Sequence, residues 1–376
     1  MTRPTMTVRE RLLAAMRCEP TDRVPIQVRG VYPTRPPENL HPSYRPLYDL
    51  VVEKCDPVHP VGFRLGWHGI DREALDRRVD EVPVDADWVE DVVTLGTPRG
   101  PLTEVHRRSL KGEPGFQTKH AVESVEDLER FLSIPAVAPE VDASAFHAAT
   151  REVGERALVI ADVGGNPISG ACGLLGSELL AIWSVTERDR VKELVLELRA
   201  RWAACVERLL DAGVGPVMGT LGHEVALPPL LAPADFRELV VDVDLPVMRM
   251  IRERGNLIHV HCHYNLAKVL DGFLELGVNC MHPFEAPPMG DLELVEAKRR
   301  VAGRICIEGN LQIGELQMAT PERIRELTRQ IIEDAAAGGG LILSPTASPY
   351  WPRLTDTVRD NYVAFIQTGR EFGGYA

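Results

Sequence analysis

The chain has 376 residues, with 42 Lys and Arg against 55 Asp and Glu, a formal net charge of −13, and 44% hydrophobic and 26% charged residues. Those are ordinary globular proportions, which exclude a long disordered or low-complexity polypeptide. The acidic balance argues against nucleic-acid or anionic-membrane partners, since both call for a basic surface. No apolar run approaches the ~20 residues that cross a bilayer, and Met1 to Pro20 carry charges where a signal peptide has an apolar core. A cytoplasmic protein is expected, for which a homodimer is an allowed state. The seven cysteines (Cys18, Cys55, Cys172, Cys205, Cys262, Cys280, Cys306) include no CxxC pair. They read as buried thiols of a reducing compartment, with Cys262 set apart by its neighbours.

In chain order, Thr7-Val-Arg-Glu10 reads as a capping box opening a helix to about Met16. An apolar run at Val24–Val28 follows. The stretch VPVDADWVEDVVTLGTPRGPLTEVHRR, with its Gly and Pro breaks, predicts a small antiparallel insertion over residues 78–119. Further apolar runs, each bounded by Gly, Pro or Asn, lie at Ala157–Val163, Pro216–Thr220, Leu257–His261, Asn279–Pro283, Arg304–Glu308 and Gly340–Leu343. Between them fall helices: one opened by Thr186-Glu-Arg-Asp189 and running to about Asp211, one from Ala232-Pro233 to about Arg254, and one opened by Thr320-Pro321-Glu322. A last helix spans about Thr355 to Arg370. Runs of this kind suit parallel strands buried on both faces. A strand–helix alternation of this length fits either an open doubly wound sheet or a closed (β/α)8 barrel. The barrel is favoured because no Gly-rich phosphate fingerprint follows the first strand. The expected architecture is one α/β domain, residues 1–376, a TIM-type barrel with a small antiparallel insertion.

Catalytic groups of such a barrel collect at the carboxyl ends of the strands. Alternation along Leu257-Ile-His259-Val-His261-Cys-His263 puts the three histidines on one face and Val260 and Cys262 on the other. Two imidazoles two apart at a strand end can chelate one ion; the bland alternative is hydrogen-bonded core histidines. Five of the eleven histidines (His223, His259, His261, His263, His282) lie at or near predicted strand ends. Carboxylates accompany them in Gly222-His223-Glu224, His282-Pro-Phe-Glu285 and Glu308-Gly-Asn310. His261, His263 and Glu224 are therefore expected as metal ligands for a divalent ion such as zinc, with Glu308 as the other candidate carboxylate. His282, Glu285 and Glu308 are expected in catalytic or orienting roles. Each Glu could instead be a surface cap or ion-pair partner. Arg29, and Arg64 and His68 after the next predicted strand, are candidates for gripping an acidic substrate group, while Arg23 and Arg64 could equally brace loops. Asn310 and Tyr350 are candidates for the substrate wall. Gly164-Gly165 and Gly338-Gly-Gly340 are turns, not phosphate loops.

Three stretches carry a family resemblance over nearly the whole chain: RERLLAAMRCEPTDRVPI, LPPLLAPADFRELV, and HVHCHYNLAKVLDGFLELGVNCMHPFEAPPMGDLELVEAKRRV, extended by ICIEGNLQ, TPERIREL and GGGLILSPTASP. The chain resembles the uroporphyrinogen decarboxylase superfamily. That resemblance implies a (β/α)8 barrel and one of two activities: cofactor-free decarboxylation of porphyrinogen acetates, or corrinoid-dependent methyl transfer in which zinc activates a thiol acceptor. The decarboxylases carry an Arg-Gln-Ala-Gly-Arg run and an aspartate after the first strand, where this chain reads VPIQVRGVYP. The methyltransferases use His-x-Cys and a later Cys. Aligned on Asn265, His261 matches the family's His, His263 takes the place of the first Cys, and the later Cys falls near Thr346.

The expected protein is thus a divergent member closer to the methyltransferase branch. It would be a metal-dependent methyltransferase or demethylase acting on a small substrate at the barrel mouth. Any corrinoid would ride on a separate protein, because no Asp-x-His-x-x-Gly motif is found. A decarboxylase of uroporphyrinogen type or of another small carboxylate is the alternative. A non-catalytic barrel that binds a tetrapyrrole or a corrinoid partner protein is the third reading.

Overall fold

A computed structural model of the chain describes residues 5–63, 75–136, 141–301 and 303–374. Arg64 and His68 lie outside the described residues. The described strands are β1 (Val58–Gly62), β2 (Arg77–Pro83), β3 (Trp88–Thr97), β4 (Gly100–Ser109), β5 (Phe116–Lys119), β6 (Leu158–Gly165), β7 (Val217–Leu221), β8 (Leu257–His261), β9 (Cys280–His282), β10 (Cys306–Leu311) and β11 (Leu341–Pro345). Seven of them form one curled parallel sheet in the order β1-β6-β7-β8-β9-β10-β11, with helices in the connections. β2 to β5 form a separate antiparallel sheet where the insertion was expected.

Two departures from the sequence expectation occur at the sheet's edges. Val24–Val28 is not a full strand. Ile26 makes a single parallel bridge to Leu343, supported by Gln27 N–H to the Leu343 carbonyl (2.9 Å) and Leu343 N–H to the Pro25 carbonyl (2.9 Å). Pro25 has no N–H to extend the ladder. On its other side the Asp56 N–H, two residues before β1, donates to the Ile26 carbonyl at 2.6 Å. β1 itself was not among the apolar runs because Pro60 and His59 interrupt it. Proline is tolerated there because β1 is an edge strand of this sheet.

The capping box at Thr7 forms as expected and opens helix Val8–Met16. Thr320 and Thr355 cap helices Pro321–Ala335 and Asp356–Phe372 through their hydroxyls. The helix expected to be opened by Thr186 instead starts at Arg188, with Glu187 as its uncapped first flank, because Thr186 closes the preceding helix Ser177–Thr186. The helix from Pro233 continues to Glu253 through a π turn at Arg237–Val241. Among the described residues no single helix is long and apolar enough to cross a membrane.

Strand alternation divides the buried apolar residues into two groups. Val58, Leu158, Ile160, Val217, Leu257, Cys280, Cys306 and Ile342 cluster with Leu12, Leu13 and Met16, so helix Val8–Met16 packs on the inner face of the parallel sheet. Ile258, Val260, Cys262, Met281 and Ile307 join the larger cluster made with the surrounding helices. One end of the inner face is thereby filled with aliphatic side chains. The polar residues of the same strands, two positions further along, are left for the other end.

Asp56 holds the first segments in place. Fully buried, its carboxylate takes bonds from Arg11 Nη1 (2.6 Å), Arg23 Nη1 (2.6 Å), Arg23 Nη2 (2.9 Å) and the Ile26 N–H (2.9 Å). Arg11 also grips Asp22 through Nε (2.5 Å) and Nη2 (2.8 Å). Arg23 is thus a brace, the role its alternative reading gave it. Replacing Asp56 by Ala leaves two guanidinium groups without their buried counter-charge and should cost about 3–5 kcal/mol in urea unfolding. Burial pushes the Asp22 carboxyl up, but Arg11 and the Met6 N–H outweigh this and hold it at about 2 against 3.8 unfolded. Its contribution to stability is complete above pH 3.8 and is lost as pH falls from there toward 2. Unfolding midpoints measured across that range should show an acid loss that an Arg11→Met variant lacks.

Candidate functional site

The register of the parallel strands assembles the site. Gly219, His259 and Cys280 are aligned across β7, β8 and β9, and Cys280 aligns with Cys306 of β10. Two residues further along, His261 aligns with His282, and Glu308 stands two beyond Cys306 on β10. These side chains share the inner face, because residues two apart on a strand point the same way. Gly219 keeps space beside the lower histidine: a Cβ there would stand 3.1 Å from Ile160 Cγ2 and 3.9 Å from His259 Nδ1.

In the lower row, His259 Nε2 lies 2.8 Å from Glu308 Oε2 and the Cys280 thiol 3.9 Å from the same oxygen. Burial pushes the Glu308 carboxyl up, but the His259 and Arg29 charges outweigh it and hold the group below its ordinary range. Among the described residues, His259, Cys280 and Glu308 are the group of three whose possible ligand atoms lie within 4.8 Å of one another.

The upper row has a different logic. His282 Nε2 is 2.9 Å from the Pro345 carbonyl, which can only accept, so this nitrogen carries the hydrogen. His282 Nδ1 and His261 Nδ1 are 2.9 Å apart. Burial, with the Arg29 charge, pushes His282 well below its ordinary range and His261 down to about 2, so both rings are neutral at pH 7. One of the two facing Nδ1 atoms must donate and the other accept. Since the hydrogen of neutral His282 is on Nε2, His261 donates from Nδ1, and its Nε2 is left as a lone pair. The two rings stack at 5.0 Å with a 16° interplanar angle.

His263 follows β8 and is oriented separately. Its Nδ1 lies 3.1 Å from Glu285 Oε2, which as a carboxylate oxygen accepts, so in the neutral ring Nε2 is again a lone pair. The same oxygen takes the Tyr264 N–H at 2.9 Å. Tyr264 has φ +71°, a left-handed conformation that costs a non-glycine residue about 1–3 kcal/mol and persists only where its surroundings hold it. The His261 and His263 rings stand 4.7 Å apart and perpendicular.

Arg29 supplies positive charge to this cluster, acting on His261, His282 and Glu308. Glu224 sits elsewhere. Its charge acts on Cys172 and Cys262, it is absent from the charges acting on His261, and it is not part of the three-ligand group. Asn310 is buried and lines a groove with Gln312 and Glu315. Tyr350 is 63% exposed, with its hydroxyl 3.3 Å from Gln317. Cys262 is buried on the outer face, and burial pushes its thiol well up, away from nucleophilic use.

One further cluster escaped the sequence reading. His223, fully buried in the turn after β7, stands 3.4 Å by Nε2 from Asp244 of helix Asp242–Glu253, and Asp244 also takes a 2.8 Å bond from Asn166. The available signal was an acidic residue among Val240, Val243, Val247 and Ile251, on what is otherwise an apolar stripe.

Residues 104–370, more than two thirds of the chain, match the family described as uroporphyrinogen decarboxylase (URO-D). The protein belongs to that family. No curated protein matches the chain. Among solved structures it is similar to a methyltransferase from Methanosarcina mazei, at 17% identity and a TM-score of 0.60, over 98% of this chain and 99% of that one. A sugar phosphate isomerase/epimerase from Parabacteroides distasonis aligns at 13% identity and a TM-score of 0.35, over 65% of this chain and 81% of that one. The first likeness establishes the shared fold; the second is too weak to argue from.

The tautomers follow from acceptor chemistry and are measurable. Nitrogen-15 spectra of metal-free protein near neutral pH should show His282 with its hydrogen on Nε2 and His261 with its hydrogen on Nδ1. The reverse assignment, or a charged ring, would break the chain of bonds from Pro345.

Proposed function

We propose that this protein is a methyl-transfer enzyme of its family, acting on a small substrate where the strand ends of the parallel sheet open. In this reading residues 1–376 make one domain, in which the Ile26 segment closes the curled sheet as the eighth member of a barrel and the antiparallel strands are an insertion. The observation that carries the function is the pair of neighbouring imidazoles, His261 and His263, each tied through Nδ1 and each left with Nε2 unbonded by the described residues.

Two nitrogens prepared in this way suit a divalent ion, and a carboxylate or carbonyl behind each metal-bound imidazole is the usual means of fixing its tautomer. The donors are imidazoles where the related methyltransferases have soft thiolates. Thr346, near the later Cys position, already accepts the Ile313 N–H at 3.1 Å. The set fits zinc or another borderline ion better than a thiolate-demanding one. Such an ion would supply Lewis acidity, making a bound nucleophile easier to deprotonate. Glu224 stays with Cys262 and is not assigned to the ion. His282 and Glu285 hold the two ligand rings, Glu308 fixes His259 beneath them, and Arg29 offers a guanidinium to an anionic part of the substrate. The methyl group would be carried by a corrinoid on a separate protein. Arg29 also favours a second reading, decarboxylation of a small carboxylate, because none of the described residues bonds its guanidinium.

Metal analysis of the purified chain should find a divalent ion in stoichiometric amount, lost in His261→Ala and His263→Ala. Glu285→Gln should weaken its binding about 10–100-fold. Methyl transfer from methylcobalamin to a thiol should disappear with the ion. An ion retained by both histidine variants but lost in Cys280→Ala would place it in the lower group and overturn the assignment. Carbon dioxide release without methyl transfer would favour the decarboxylase.

A further inference from the structure

The antiparallel sheet ends on one side at β2, whose residues are exposed apart from the half-buried Asp80. Its ladder with β3 sets Arg77 against Leu95, Val79 against Val93 and Glu81 against Asp91. Two bonds just beyond its ends fix the phase: the Gly96 N–H donates to the Asp76 carbonyl at 2.8 Å, and the Val84 N–H to the Trp88 carbonyl at 3.0 Å. Bonded and non-bonded pairs alternate along an antiparallel ladder. The even-numbered residues of β2 therefore direct their backbone groups to β3, while Arg77, Val79 and Glu81 turn theirs outward. Among the described residues nothing bonds these outward groups. Pro83, at the next outward position, has no N–H to offer.

An open edge of this kind is a template for another strand, and the charges along it select which one. β2 reads Arg77-Arg-Val-Asp-Glu81, basic at one end and acidic at the other, with Val79, 41% exposed, between them. An antiparallel copy centred on Val79 sets Arg77 against Glu81 of the second copy and Arg78 against its Asp80, and brings the two Val79 side chains together. The outward N–H and C=O groups of Arg77, Val79 and Glu81 then all meet partners. A slip of two residues is the smallest that keeps outward groups facing each other. In one direction it opposes Arg78 to Arg78, in the other Asp80 to Asp80, and like charges directly opposite disfavour both. Within one chain Asp80 pairs with Arg78 at 2.8 Å and Glu81 with Arg108. Those contacts are solvent-exposed and weak, and each carboxylate can accept from a second guanidinium. The sheet's other edge offers no such match, because β5 is only Phe116–Lys119 and carries no acidic residue.

We propose that β2 is the contact face of a two-fold homodimer, in which it pairs antiparallel with β2 of a second copy and joins the two antiparallel sheets into one. A strand that pairs antiparallel with its own copy makes the same contacts from both sides, so the interface closes on a dimer. The assignment is independent of the reading of the imidazole site.

Analytical sedimentation of the full chain at up to about 100 µM tests it, since a contact of limited area makes a reversible dimer. The native chain should form a dimer that dilution dissociates. Arg77→Glu with Arg78→Glu makes the edge wholly acidic, and Asp80→Lys with Glu81→Lys makes it wholly basic. Each of these variants alone should stay monomeric. Mixed in equal amounts, the two should associate with each other at least as tightly as the native chain does with itself. Val79→Pro removes a donor that β3 does not use, and should weaken the dimer about tenfold or more while leaving the circular dichroism unchanged. A native chain that stays monomeric, a native-strength dimer in either charge variant, or folded charge variants that fail to associate when mixed would overturn the proposal. Should a charge variant not fold, Val79→Pro decides: a dimer of native strength in that variant overturns the assignment, and its loss with the fold intact supports it.

Discussion

The hydrogen bond from His282 Nε2 to the Pro345 carbonyl sets the state of the whole upper row. A carbonyl cannot donate, so the bond fixes the tautomer of His282, and His282 then fixes the tautomer of His261. Burial of both rings keeps them neutral, because a buried ring without a carboxylate partner gains nothing from a proton. In the lower row the partner of His259 is Glu308, a carboxylate, and the bond there is between ionisable groups of opposite preference. The same residue type thus serves in two ways, two positions apart on one strand.

The site lies where it does because the inner face of the sheet is filled from one end. Helix Val8–Met16 brings Leu12, Leu13 and Met16 against Val58, Leu158, Val217 and Ile342, which leaves that end without room or polarity for chemistry. The helix is held by its capping box and by Arg11, whose guanidinium reaches both Asp22 and Asp56. Asp56 in turn fastens the Ile26 segment, and with it Arg29, which follows three residues later. A buried acidic residue outside the site therefore helps to position a guanidinium whose charge acts on His261 and His282.

Much of this was legible in the sequence. The parallel strands from Ala157 onward, the antiparallel insertion and most helix boundaries follow from local signals, because each apolar run is bounded by Gly, Pro or Asn and each long helix by a cap or a glycine stop. β1 was legible only as a strand ahead of Arg64, without bounds, because an edge strand can carry Pro60 and so loses its apolar continuity. The histidine face of β8 was visible from alternation alone. The partners were not: which carboxylate meets which imidazole depends on register between strands, and it joined Glu308 to His259 and Glu285 to His263. Glu224, read beside the histidines because it ends a neighbouring strand, turned toward Cys262 in the short turn that follows Gly222, whose φ of +94° redirects the chain.

Cys262 stands between the two ligand candidates of β8 and faces the opposite way. A strand has only two faces, so a shift of its pairing by one residue would turn Val260 and Cys262 inward and His261 and His263 toward the helices. The segment thus carries a soft sulfur donor and borderline nitrogen donors back to back. Single-residue changes in the segment's length would therefore change which of the two donor types faces the opening.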